Sequence, residues 1–189
     1  TLAFSAVTAT LSVNAPSLSP WVFLIGAYGF LFATHALARS PWGLLTTFGF
    51  TGFIGYGVGP LLGYLMSSQN GSEIVTTALG GTAFIFFGLS GWVLASRKDF
   101  SFLRGFIAAG CLVLLAAIVI SLFWQMPALQ LAMSVGFMFF SSAIILYQTS
   151  EIIHGGERNY ILATITLYVS IYNIFMSLLH LLMAFSGDD

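Results

Sequence analysis

Apolar residues run along this chain in seven long stretches, broken only by short clusters of Pro, Gly, Asn, Ser and charge. These runs predict helices near 1–14, 19–38, 43–66, 74–96, 103–124, 128–153 and 160–185. The connections between them are brief: "NAPSLS", "RSPW", "SSQNGS", "RKDFS", "QMPA" and "HGGERN". None has room for a soluble domain, so one all-α transmembrane domain is expected to span 1–189, and any function must come from the helices, the loops or the tails.

Composition agrees. Of the 189 residues 58% are hydrophobic and only 6% charged, with a mean hydropathy of +0.98. A globular core does not need so large an apolar excess, and the chain reads as a polytopic protein of the lipid bilayer. Net charge is −1, with no basic stripe to suit a nucleic acid. The single cysteine, Cys111, lies within "AAGCLVLLAAIVI" and is expected to be a buried, inert thiol. No C-x-x-C, H-E-x-x-H or His/Cys cluster occurs, which argues against a zinc or haem site, and no cofactor is expected. The chain starts "TLAFSAVTAT", inside an apolar run and without methionine, so an N-terminal segment is expected to be missing.

The few charges orient the bundle. Arg39 follows helix 2, Arg97, Lys98 and Arg104 flank the connection after helix 4, and Arg158 follows helix 6. With seven spans all five fall on one face, and basic residues near span ends are retained in the cytoplasm. The N-terminus is then cytoplasmic, and the "SGDD" tail lies on the outer, in a bacterium periplasmic, side.

Within the helices, small and polar residues fall into lines. Gly55, Gly59 and Gly63 recur every four residues on helix 3, a spacing that lets a neighbouring backbone approach closely, and Pro60 beside them predicts a kink, an opened turn or a hinge. On helix 7, Thr166, Ser170, Asn173, Ser177 and His180 share one stripe. Helix 6 answers with Ser134, Ser141 and Gln148, followed by Glu151 and His154 near its end. In hydrocarbon such side chains turn inward. The seams are read either as interhelical hydrogen bonding or as a hydrated pathway with a proton site. Glu151 and His154 are read as a solvated helix end within reach of Arg158, and His180 as a neutral, hydrogen-bonded bundle histidine.

Several stretches together resemble the Bax inhibitor family of seven-helix membrane proteins. They are "GVGPLL", "ALGGTAFIFF", "RKDFSFL" and "LYQTSEIIHGGERNYI" with "LYVSIYNIF". Their order is most like the bacterial YccA branch, associated with the membrane AAA protease FtsH. The resemblance implies a seven-transmembrane-helix bundle with helix 7 central, an inner-membrane location, and a non-enzymatic protein that interacts with FtsH and modulates it. In the family's calcium-leak branch, aspartates on helices 6 and 7 share a proton as a pH latch, assisted by an arginine on helix 2. Gln148 and Ser170 stand at the two aspartate positions, and neither ionises. The arginine position falls near Leu37, with Arg39 the nearest basic residue. A pH-dependent Ca2+ or H+ leak along the seam, with Glu151 as a substitute titrating group, is the alternative. A remoter one is a rhomboid-like serine protease, since "GLSG" (88–91) matches a G-x-S-G nucleophile signature, with Ser90 as nucleophile and His180 as base.

Overall fold

A computed structural model describes residues 1–124 and 126–187. Gln125 of the "QMPA" connection and Asp188 and Asp189 of the "SGDD" tail lie outside the described residues. The fold is all-helical: α1 (Leu2–Leu11), α2 (Pro20–Leu37), α3 (Trp42–Met66), α4 (Gly71–Ser96), α5 (Leu103–Phe123), α6 (Pro127–His154) and α7 (Tyr160–Phe185). No strand occurs among the described residues. Five helices, α2, α4, α5, α6 and α7, are long and apolar enough to cross a membrane. α1 is a shorter apolar helix of 10 residues. α3 has the length, 25 residues, but its glycines and threonines dilute its leucines and phenylalanines, and it is not among the five.

Local chemistry sets the ends. α1 stops earlier than the apolar run predicts, because the Ser12 hydroxyl donates to the Ala9 carbonyl (3.1 Å) and the chain turns toward Pro16. α4 begins earlier, at Gly71, where an added Cβ would strike the Leu65 carbonyl. Glu73 in its first turn faces the positive end of the helix dipole. α6 ends at Gly155, whose φ of 75° is a left-handed conformation that glycine adopts without strain.

The chain divides into two compact units. The first comprises Thr1–Glu73 and Asn159–Tyr168. In it α1 and α2 both pack on α3. The α1–α3 contact runs backbone to backbone along the predicted glycine face. A Cβ on Gly55 would meet the Ser5 carbonyl, one on Gly59 would lie 2.5 Å from the Ala9 carbonyl and closer still to the Ser12 hydroxyl, and one on Gly63 would meet the Val13 carbonyl. Pro60 stays inside a continuous helix, so the expected opened turn is not formed. Toward α2 the contact is aromatic: Phe53 stacks on Phe23 (centroids 5.8 Å) and leans on Phe30 (5.7 Å). The first turns of α7 bring Ile161, Ile165 and Tyr168, all nearly fully buried. The Tyr168 hydroxyl lies 2.7 Å from Ser5 Oγ and donates to the Thr51 carbonyl (3.3 Å), joining α1, α3 and α7.

The second unit comprises Ile74–Arg158 and Val169–Asp189. α5 packs on α6, with Gly110 under the Phe140 ring and Gly136 under Leu114. No described residue of α5 is buried, and its 18-residue apolar window has a mean hydropathy of 2.5. Such a helix is apolar all round because its outer face meets lipid. Cys111 sits on that exposed side, which corrects the expectation of a buried thiol. Sequence shows that the helix is apolar; it does not show which side of it a neighbour covers.

Candidate functional site

The polar seams lie mostly where helical periodicity puts them. On α6, Ser141 is completely buried and Ser134 and Gln148 nearly so, while Glu151 is half-buried and His154 exposed. On α7, Ser170 and Ser177 are buried and Thr166 and Asn173 half-buried, but His180 is exposed. His180 makes no side-chain hydrogen bond among the described residues, so the expected bonded bundle histidine is corrected as well. It ends the stripe near the last turns of α7, where the helix loses its cover.

Two buried polar atoms on α6 have no hydrogen-bond partner among the described residues: Ser141 Oγ and Gln148 Nε2. They are seven residues apart, on one face of the helix. Gln148 Nε2 therefore does not donate to the Ser170 hydroxyl. An unsatisfied buried amide costs roughly 1–3 kcal/mol.

The end of α6 is more elaborate than its solvated-end reading. Ser150 is buried; its hydroxyl accepts from the Phe100 N–H (3.0 Å) and lies 3.4 Å from the Lys98 carbonyl. One side chain thus holds the backbone of the α4–α5 connection. His154 Nδ1 lies 2.9 Å from the Ser150 carbonyl, so its ring is tied back along its own helix. In the same connection Asp99 Oδ1 accepts from the Ser101 N–H (2.8 Å), and that bond, with the Ser101 hydroxyl and nearby His154, holds the Asp99 carboxyl below its usual range. Arg158 donates to the Gly155 carbonyl (3.3 Å), and the Glu151 carboxylate, lying over Gly156, makes no ion pair among the described residues. The anticipated Glu151–Arg158 pairing is therefore not formed.

At the opposite end of these helices, the start of α6 and the last turns of α7 line an open cavity of about 750 Å3. Asn173, Ser177 and His180 line it from α7, and Gln130 and Ser134 from α6. The predicted pathway residues of α7 thus meet at one hollow, apart from Gln148, Glu151 and His154. A smaller hollow of about 420 Å3 in the first unit is lined by Pro60, Gly57, Phe23 and Tyr64.

The described residues do not pair Ser90 with a base. Ser90 Oγ lies 3.5 Å from Thr149 Oγ1, and no histidine hydrogen-bonds it among the described residues. Sequence reasoning also missed two structural ties. Asn159 accepts from the N–H groups of Ile161 (3.0 Å) and Leu162 (3.3 Å) and donates to the Ala38 carbonyl (2.9 Å), capping α7 while pinning the end of α2. An Asn immediately before an apolar run is a legible capping signal. Ser150 carries no such signal, because its partners are backbone groups fifty residues away.

A family model described as inhibitor of apoptosis-promoting Bax1 matches residues 1–187. The chain belongs to the Bax inhibitor family. Among its family relatives, an uncharacterised protein of Pseudomonas aeruginosa is 56% identical over 191 residues, covering all of this chain and 86% of that protein. The modulator of FtsH protease YccA of Escherichia coli K12 is 50% identical over 190 residues, with the same coverage. An uncharacterised membrane protein of Vibrio cholerae is 38% identical over 192 residues. With its long apolar helices, this Bax inhibitor family member is a multi-pass membrane protein.

Proposed function

We propose that this protein modulates the membrane protease FtsH, as its Escherichia coli relative is named for doing. The observation that carries this reading is 50% identity over 190 residues, covering all of this chain and 86% of that relative. The role is non-enzymatic and asks for a membrane bundle that FtsH can engage without readily dismantling it. The α1–α3 seam, with backbone groups in direct contact and Tyr168 tying α1 to α3, supports such a body. The proposed arrangement is seven spans in the bacterial inner membrane as a single domain, α7 central, with Arg39, Arg97, Lys98, Arg104 and Arg158 on the cytoplasmic side. That orientation puts the Ser150 tie in the cytoplasm, the cavity near the periplasm, the N-terminus inside and the C-terminus outside. Co-purification from membranes tests the contact: FtsH should be retained on the tagged protein, and raising the protein's level should slow degradation of an FtsH membrane substrate. Absence of both would end this reading.

The buried Ser141 Oγ and Gln148 Nε2, without hydrogen-bond partners among the described residues, favour a second reading, an H+ or Ca2+ leak along α6. Its weak point is chemical, since Ca2+ takes several oxygen ligands that usually include carboxylates, and Gln148 and Ser170 have none. Protein-loaded liposomes should show no Ca2+ or H+ flux above empty vesicles from pH 5 to 8 if protease modulation is the whole function. A flux abolished by Gln148→Leu would establish the leak.

A further inference from the structure

The cavity between the start of α6 and the end of α7 has a second chemical character besides its polar wall. Met133 lines it from α6, and Met176 and Met183 from α7, so half of the chain's six methionines converge on one hollow. Met176, His180 and Met183 are at positions i, i+4 and i+7, which puts two thioethers and an imidazole on one helical face. Met133 stands on the other wall. All three methionines are half-buried, and the His180 ring makes no hydrogen bond among the described residues. Methionine commonly fills irregular gaps in a core. Here about 750 Å3 remains open beside three of them, so gap-filling does not account for the arrangement.

Thioether sulfur is a soft, neutral donor that needs no deprotonation, and it selects Cu(I)-like ions over harder ones. Among the described residues the cavity wall carries no carboxylate and no thiolate, the donors that Zn2+ and Ca2+ favour. We propose that Met133, Met176, Met183 and His180 form a binding site for a soft monovalent cation, Cu(I) or its analogue Ag(I). Thioethers from two helices supply the soft donors and His180 the stronger nitrogen ligand. The site is independent of the FtsH reading, and either stands if the other fails.

The test uses the whole protein in lipid nanodiscs, titrated anaerobically with Cu(I) against a chromophoric chelator and in parallel with Ag(I). One equivalent should bind, with sulfur and nitrogen scatterers in the copper X-ray absorption spectrum, and Zn2+ should not compete. The shape-conserving double variant M176L/M183L should weaken binding by more than about 100-fold, since even outer partners of metal ligands are worth about 10–100-fold. H180Q should weaken it less and remove the nitrogen signal, while M66L/M138L, outside the cavity, should leave it unchanged. Should the double variant fail to fold, peroxide footprinting of the wild-type protein replaces it: Ag(I) should protect Met133, Met176 and Met183 while Met66 oxidises as before. The proposal is overturned by absence of stoichiometric binding, by unchanged affinity in M176L/M183L, by an equal loss in M66L/M138L, or by footprints that Ag(I) does not alter.

Discussion

The α1–α3 seam of the first unit and the α6–α7 end of the second are built from residues of similar polarity, yet one is closed and the other hollow. Along α1–α3, three hydroxyls bond to carbonyls of their own helix: Thr8 to Ser5 (2.9 Å), Ser12 to Ala9 (3.1 Å) and Thr47 to Gly43 (2.7 Å). Glycines opposite let the backbones touch. At the α6–α7 end, Met133, Phe137 and Met176 line an open hollow, and Asn173, Ser177 and His180 make no side-chain hydrogen bond among the described residues. Polar residues in a membrane helix therefore do not by themselves mark a pathway. The regions differ in their neighbours: glycines line the closed seam, and methionines and a phenylalanine line the hollow.

The harshest way to break the closed region is Gly59→Leu, whose side chain has no volume to occupy between Ala9 and Ser12. This variant should not fold stably. Gly59→Ala should cost about 1–3 kcal/mol from overpacking, measured by unfolding in mixed micelles. Gly80→Ala, where an added methyl meets nothing, should be neutral or gain about 0.5–1 kcal/mol from helix propensity. Equal effects at the two sites would show that the seam is not under steric control.

Smaller losses come from hydrogen bonds. Tyr168→Phe removes the bonds to Ser5 and Thr51 and should destabilise by about 0.6–1.7 kcal/mol, the range for such bonds in membrane helices. In the second unit the sign should reverse, because Gln148→Leu removes a buried donor with nothing to bond. It should leave stability unchanged or raise it by about 1 kcal/mol. A clear destabilisation by Gln148→Leu would reveal a water or polar guest bound to that amide.

The smallest effect is in pH. Asp99 titrates below its usual value because the folded connection donates to its carboxylate, so its contribution to stability is present above the unfolded carboxylate pKa of about 3.9 and fades as pH falls through the lower folded value. Nuclear magnetic resonance titration should find the Asp99 midpoint below that of an unstructured peptide. Ser101→Pro, which removes the backbone donor, should move it upward.

Much of this organisation is legible without coordinates. Apolar run length and turn residues place all seven helices to within three residues or so, since in a bilayer backbone groups must bond within their own helix and each break needs water. The four-residue spacing of Gly55, Gly59 and Gly63 announces a close helix contact, and the seven-residue spacing of Ser134, Ser141 and Gln148 a buried face. Both inferences depend only on helical geometry. Tertiary structure alone decides which helix enters the glycine face, that Ser150 holds Phe100 and Lys98, that His180 and Cys111 are exposed, and that three methionines share a hollow with a histidine. The physical reason is that periodicity reports which residues of one helix face the same way. Whether that direction meets a backbone, a side chain, lipid or empty space depends on the side-chain volumes of a second helix, which no single stretch of sequence contains.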